Sequence, residues 1–330
     1  YYNTKHFEEI TSGIDTIPME RDITIHDIST IFRCRSIIKK RKPDLVYCHS
    51  AKAGVYGRIA CLGTGIKVIY NPHGWAFNMK CSSAKKFFYK GVETFFSLLT
   101  DRIVTISDYE KETSPWLISR KKIVKILNGI DIEEDERILR QSTLTRSDVG
   151  ISKDKFVIGL IARISIQKGQ DLLVEVARRI ADEIPEAFFV MVGDKSDDVP
   201  IENKIEENQL KDRFLITGEV LEAIRYAALF DIAVLTSRWE GFGLVLPEYM
   251  LAKKAIVAFN VDAISEVVQD GITGILVGKE DVEGMAHAII DLYRNPEKVQ
   301  NYASAGYKDV KKRFDLKRVI KEHEQLFEQL

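Results

Sequence analysis

The chain has 330 residues, and at roughly 150 per domain that implies two domains. Apolar residues are 45% and charged residues 29%, with 20 glycines and 8 prolines, which excludes a collagenous or disordered chain. No apolar run nears the roughly 18 residues of a membrane helix, and the best stretches, 156–161 and 187–193, are strand-sized.

The formal net charge of −1 hides an asymmetry. Residues 1–150 hold 24 Lys+Arg against 18 Asp+Glu, a balance of +6; the remainder holds 24 against 31, a balance of −7. Residues 30–100 contain 13 basic side chains and only Asp44 and Glu93 as acids. Such a stretch either attracts an anionic partner or surface, or is a solvated lysine-rich face. Cys34, Cys48, Cys61 and Cys81 are far apart with no C-x-x-C, which argues for buried free thiols in a reduced cytosol and against a zinc ribbon or disulfide framework. No signal peptide is visible, and a start at Tyr1-Tyr2 without methionine suggests an upstream segment.

Short apolar runs alternate with helical stretches, the mark of parallel α/β layers. In the first half a basic helix precedes a strand at 43–50, a helix follows, and residues 67–74 form the next strand. Residues 82–99 read as an amphipathic helix with Ala84, Phe88, Val92, Phe95 and Leu99 on one stripe, either a core helix or one that dips into an interface. Strands at 101–107 and 122–129 close this half. A polar stretch, 131–154, connects it to the second. There the predicted order is strand 156–163, helix 170–184, strands 187–193 and 213–218, helix 222–230, strand 231–237 and helix 244–254. Short apolar segments to 277 and terminal helices follow. The expected architecture is two Rossmann-like domains facing each other, with ligand bound outside the strand carboxyl ends.

Three junctions carry polar chemistry. In SRWEGFGLVLPE (237–248) a buried-type strand ends in a turn with Gly241 and Gly243, and a helix begins near Leu244. Glycines admit close backbone approach and helix-start N–H groups attract anions. Glu240 and Glu248 can accept hydrogen bonds from sugar hydroxyls; they can equally be solvated acids. After the strand at 156–163, Arg163 and Lys168 can clamp a diphosphate or be ordinary surface cations. His73, in YNPHGWAF, follows a strand end; His49 is placed similarly. No D-x-D, H-E-x-x-H, phosphate-loop or G-x-S-x-G pattern occurs, and no G-x-G-x-x-G follows the first visible strand.

Together these motifs resemble the retaining glycosyltransferases of family 4, whose fold is GT-B. Glu240-Gly-Phe-Gly-Leu-Val-Leu-Pro-Glu248 is similar to that family's E-x7-E signature, and Arg163 with Gln167-Lys168-Gly169 to its arginine–lysine phosphate pair. LNGID at 127–131 and SEVVQDGITGILV at 265–277 also fit. HSAKAG at 49–54 and PHGWAF at 72–77 are similar to members that build capsular, exopolysaccharide or O-antigen units. The resemblance implies an acceptor-side domain at 1–135, a linker at 136–154, a donor-binding domain at 155–314 and a terminal helix, 315–330, crossing back to the first domain. It implies that Arg163 and Lys168 bind the donor diphosphate, and that Glu248 holds the ribose. Glu240, Gly241 and the backbone of Phe242, Gly243 and Leu244 would hold the sugar, and His73 would reach a sugar hydroxyl. Neither a metal nor another cofactor is expected, since the two cations and the helix start do the work of a D-x-D metal.

The expected partners are a nucleotide-sugar, most commonly UDP-linked, and a glycan or lipid-linked glycan acceptor, with no nucleic acid. The basic stretch gives a further expectation: Lys39–Lys42, Lys80, Lys85, Lys86 and Lys90 would meet anionic lipid or the acceptor pyrophosphate, on a cytoplasmic protein peripheral to the inner membrane face. A nucleotide-sugar epimerase of the same fold and a non-catalytic nucleotide-sugar-binding protein are the alternatives. Two departures from the family stand out. Its V-G-G-x-x-E is here Val261-Asp262-Ala263-Ile264-Ser265-Glu266, and the G-x-P usually preceding that strand is Lys253-Lys254-Ala255. The family's opening strand, glycine loop, first helix and second strand have no counterpart before Tyr1, so this piece alone is expected to be poorly active and poorly stable in its first domain.

Overall fold

Strand-length runs of β-branched and aromatic residues, each followed by a helix, give two parallel sheets in a computed structural model that describes residues 11–19, 26–79, 81–195 and 199–330. They fall into two units. The first comprises residues up to Thr105 with Ser114–Val124 and Phe327–Leu330; the second comprises Ile106–Thr113 and Lys125–Leu326.

The first unit runs α1 (His26–Arg41), β1 (Leu45–His49), α2 (Ala51–Ala60), β2 (Lys67–Asn71), α3 (Ser83–Ser97), β3 (Arg102–Thr105) and, after a short helix α4 (Asp108–Thr113) that groups with the second unit, β4 (Ile123–Lys125). The sheet order is β1-β2-β3-β4. β1 and β2 are in register from Leu45↔Lys67 to His49↔Asn71, so His49 ends one strand and His73 lies just past the end of its neighbour.

The stripe predicted on α3 is not the buried one. Ala84, Phe88 and Phe95 are exposed, and Val92 and Leu99 are only half-buried. The helix turns Glu93 and Ser97 inward instead. The reason is Arg58, wholly buried on α2, whose two terminal nitrogens both donate to Glu93 Oε2 at 3.1 Å. Tyr70 of β2 donates its hydroxyl to Glu93 Oε1 at 2.9 Å, and the guanidinium lies 4.0 Å from the Tyr70 ring centroid. A buried cation needs a fully bonded partner, and that need overrides the apolar periodicity. Of the two acids in the basic stretch, Glu93 therefore contributes nothing to the surface.

Lys39, Lys40 and Arg41 are exposed in the last turn of α1, where cations complement the helix dipole. Lys80 lies outside the described residues. The thiols are free, as expected, but only Cys48 and Cys61 are fully buried; Cys34 and Cys81 are half-buried. Burial pushes the Cys48 thiol up to about 12 and that of Cys61 to about 11, so neither is reactive at neutral pH.

The second unit contains α5 (Ile132–Gln141), β5 (Phe156–Ile161), α6 (Gln170–Ile180), β6 (Ala187–Val192), α7 (Ile201–Glu207), β7 (Phe214–Ile216), α8 (Ile224–Ala227) and β8 (Ile232–Leu235). It continues through α9 (Val245–Leu251), β9 (Ala255–Phe259), α10 (Ile264–Val267), β10 (Gly274–Val277) and three helices, α11 (Val282–Arg294), α12 (Pro296–Arg313) and α13 (Leu316–Glu328). Its parallel sheet has the order β10-β9-β8-β5-β6-β7. The chain reverses direction across the sheet between β5 and β8. Such a reversal is where open α/β sheets bind ligands, outside the strand carboxyl ends.

The stretch expected as a linker is not one. Asp131 caps α5 by accepting from Glu134 N at 3.0 Å, and Ile138 and Ile151 are buried in the second core. The few apolar residues of α5 sit among four acids, which hides both the helix and its allegiance. The boundary between units thus falls at Val124/Lys125, before the expected 135, and residues 136–154 belong to the second unit. The terminal helix groups with the second unit as far as Leu326. Arg318 donates to the Leu127 carbonyl at 2.8 Å and Val319 packs beside Gly129. Phe327, grouped with the first unit, stands edge-on to Tyr47 at 6.0 Å.

Removing one member of the Arg58–Glu93 pair leaves an uncompensated buried charge, so Arg58→Met or Glu93→Leu alone is expected to destabilise the first unit by about 3–5 kcal/mol. The double variant recovers part of that loss. Urea denaturation followed by circular dichroism measures both; equal stability of the single variants and the parent would contradict the assignment.

Candidate functional site

The second unit brings most of the predicted residues to one place. Arg163, Lys168 and Gly169 follow β5, and residues 237–244 follow its neighbour β8, so both loops open at the strand reversal. Gly169 shows how closely they meet. It has φ +66°, and a Cβ on it would lie 2.2 Å from the Thr236 carbonyl oxygen, a backbone atom that cannot yield. Thr236 in turn donates its hydroxyl to the Lys168 carbonyl at 2.8 Å.

At the centre, Lys168 Nζ is paired with Glu240 Oε1, which also accepts from Ser237 Oγ at 2.7 Å. Glu240 is only 6% exposed, and these partners satisfy an oxygen that water does not reach freely. Its own amide donates to Asp262 Oδ2 at 2.8 Å. Asp262, where the family commonly has glycine, keeps a left-handed backbone at φ +47° and adds a carboxylate. That carboxylate also takes the Tyr109 hydroxyl, and burial followed by this bond pushes the tyrosine up to about 12. Glu266 keeps the acid of the V-G-G-x-x-E pattern: its carboxylate accepts the Asp108 and Tyr109 amides, each at 2.7 Å, at the start of α4.

Lys168, expected with Arg163 to bind a diphosphate, is paired with Glu240. Arg163 is exposed, its loop held by buried Gln170, whose Nε2 donates to the Arg163 carbonyl at 3.1 Å while its Oε1 accepts from Ser165 N at 3.2 Å. Arg238 fixes the opposite loop, with bonds of 2.8 and 2.6 Å to the two oxygens of Asp171 on α6. Phe242 is buried and Gly243, at φ +79°, turns the chain into α9, leaving Leu244 exposed at the helix cap. Gln170, Arg238, Asp171 and Ser237 were not singled out in the sequence. They hold loops in place, and nothing about their spacing marks them.

Glu248 lies in the first turn of α9, half-buried, and forms no ion pair among the described residues. Burial, with Asp135 of α5 adding repulsion, pushes its carboxyl up to about 7. Burial and neighbouring acids raise Asp135 to about 6. The adjacent Tyr249 is wholly buried and accepts the Ile161 amide at 2.6 Å, which locks α9 to the end of β5.

In the first unit His73 has φ +53°, its amide donating to Asn71 Oδ1 at 2.9 Å. Its Nε2 lies 2.8 Å from His49 Nδ1, with the rings stacked. The two histidines singled out separately are therefore one hydrogen-bonded pair. Among the described residues, no group of three or more His, Cys, Asp and Glu side chains is arranged to hold a metal ion.

Residues 141–309 match the family model described as Glycosyl transferases group 1, and residues 3–134 match Glycosyltransferase Family 4. An Escherichia coli relative, UDP-Gal:alpha-D-GlcNAc-diphosphoundecaprenol alpha-1,3-galactosyltransferase, is 28% identical over 85% of this chain and 73% of its own. An uncharacterized 41.2 kDa protein from the cps region of Klebsiella pneumoniae is 33% identical over 74% and 68%. Among solved structures, Anabaena Alr3699/HepE in complex with UDP and glucose superposes with a TM-score of 0.81 at 22% identity, covering 93% of this chain and 84% of that one. The likeness confirms the two-domain α/β fold, GT-B.

Glu248 yields a stability signature. Its folded-state value lies above the ordinary 4.5, so the folded chain binds more protons than the unfolded one between about pH 4.5 and 7, and stability falls as pH rises through that window. Glu248→Gln removes the penalty. Its melting temperature should exceed the parent's by a few degrees at pH 8, the gap closing towards pH 5. A gap that is independent of pH would refute the buried, unbalanced carboxyl.

Proposed function

The chain belongs to the glycosyl transferases group 1 family, and on that premise we propose that it moves a sugar, with retention, from a nucleotide-diphosphate-sugar to a glycan or lipid-linked glycan acceptor in surface-polysaccharide assembly. That it is a glycosyltransferase follows from the family; the donor, acceptor and stereochemistry are the proposal. A UDP-linked donor is supported by the E. coli relative, named for UDP-Gal, and by the HepE complex with UDP and glucose. A lipid-diphosphate acceptor is supported by the E. coli name, and a capsular setting by that of the Staphylococcus aureus relative CapM.

The observation that carries the reading is Glu240, buried at the carboxyl edge of β5 and β8 and held by Lys168, Ser237 and Asp262. In the proposed reaction the donor diphosphate competes with Glu240 for Lys168, and exposed Arg163 supplies the second positive charge. Glu240, released from the lysine, and the backbone at 241–244 orient the sugar. Glu248 accepts from the ribose, and His73 binds a sugar hydroxyl. The acceptor hydroxyl attacks the anomeric carbon from the face that the diphosphate leaves. The C–O bond to phosphate breaks, the new glycosidic bond forms, and a phosphate oxygen takes the acceptor proton. Two cations neutralise the departing charge, so the proposed chemistry uses no metal.

Glu240 here positions the sugar and does not attack it. Glu240→Gln is expected to lower turnover by about 10²–10³-fold, and Lys168→Ala similarly, the size of losing one oxyanion donor. Near-wild-type rates for Glu240→Gln would overturn its role. The true donor, found among nucleotide-sugars, should raise the melting temperature with concentration by mass action.

The basic first unit is proposed to make peripheral contact with anionic membrane through Lys39–Lys42, Lys85, Lys86 and Lys90. Each contributes about 1 kcal/mol near such a surface. Co-sedimentation with phosphatidylglycerol vesicles should fall steeply with salt; equal binding to neutral vesicles would remove the electrostatic part.

A further inference from the structure

Two neighbouring bends of the first unit are strained, and neither strain is required to end a strand. Ser50, the single residue between β1 and α2, has φ 70° and ψ 160°, a conformation held essentially by glycine alone, and its side chain does not cap the helix. His73, two residues past β2, has φ +53°. One buried residue holds both. Asn71 accepts from Ser50 N at 2.9 Å with its carbonyl and from His73 N at 2.9 Å with Oδ1, and its Nδ2 faces the Tyr47 hydroxyl at 3.4 Å. Strain of this kind survives only where the surroundings over-determine it, and it gathers where a side chain must be aimed. What these bends aim is a pair of rings. The His49 ring centroid lies 4.1 Å from that of Tyr47 and 5.0 Å from that of His73, and His49 Nδ1 meets His73 Nε2 at 2.8 Å.

We propose that His49 is a positioning residue for the transfer reaction, fixing through Nδ1 both the orientation and the tautomer of His73. The two facing nitrogens share one proton, so one donates and the other accepts. In a neutral His73, an Nε2 that accepts puts the proton on Nδ1, and an Nε2 that donates leaves Nδ1 a lone pair. The bond from His49 therefore decides whether the His73 ring offers a sugar hydroxyl a donor or an acceptor. Without that bond both tautomers are open to a neutral imidazole, and its ring angle is no longer set. The proposal rests on the role given to His73 above and deepens it.

The test reads His73 directly. In the whole chain labelled with 15N-histidine, long-range proton–nitrogen spectra report the tautomer, with the six histidines assigned by single substitution. His73 is expected as one tautomer in the parent and in His49→Asn, whose amide reaches the place of Nδ1. In His49→Phe, which keeps a ring and loses the nitrogen, it is expected as a mixture. A His73 signal unchanged in His49→Phe overturns the proposal, whatever the donor. Turnover is followed in parallel as UDP release from UDP-galactose. His49→Phe is expected to lower kcat by about 10–100-fold, the usual effect of losing the partner that orients a functional histidine. KM should stay within about twofold, since the interaction matters only in the transition state. His49→Asn should recover most of the rate, and in a His73→Ala background His49→Phe should have no further effect. A loss that persists in that background, or that falls on KM alone, overturns positioning. The two readings fail separately: a damaging His73→Ala with a silent His49→Phe removes His49 and keeps His73, whereas a silent His73→Ala removes both.

Discussion

The second unit depends on a buried carboxylate held in place at the end of two adjacent strands. Glu240 is nearly buried, and a bare charge there would be prohibitive without bonded partners. Lys168 meets it from the loop after β5, Ser237 from its own loop, and Asp262 takes its amide from beyond β9. Three separate loops converge on one residue. The strand order makes this possible, because β5 and β8 are neighbours and their loops open at the reversal. Gly169 lets those loops touch, and Gln170 and the Arg238–Asp171 bridge keep them there.

The same logic runs through the first unit with a different outcome. Arg58 and Glu93 are also a buried pair, with Tyr70 as third member, but they lie within the core and determine which way α3 faces. Satisfying one charge pair turned an aromatic stripe outward. The exposed phenylalanines beside the lysines follow from a polar requirement in the interior and not from weak packing.

Much of this was legible in the residues. Parallel strands read as short apolar runs, and the E-x7-E and arginine–lysine patterns lie at the strand ends where they were expected. What the sequence could not supply was pairing. Lys168 and Glu240 are far apart in the chain, and nothing local says that the lysine meets the acid before it meets a phosphate. His49 and His73 each looked like an isolated strand-end histidine until the register of β1 and β2 placed them together. The stripe on α3 misled because periodicity counts apolar residues and is blind to a buried arginine on another helix. Residues 131–154 misled for the opposite reason: α5 is so acidic that its few apolar contacts, Ile132 and Ile138, left little trace.

Asp262 carries a consequence for what this site tolerates. Its φ of +47° suits glycine, and its oxygen covers the Glu240 amide. Glycine would preserve the bend but uncover that amide; a branched residue would lose both. Shape and acceptor are bound up in one side chain. Exchange of this aspartate for glycine would therefore leave the Glu240 amide in need of another acceptor, so one side chain sets both the bend and the roof over the loop.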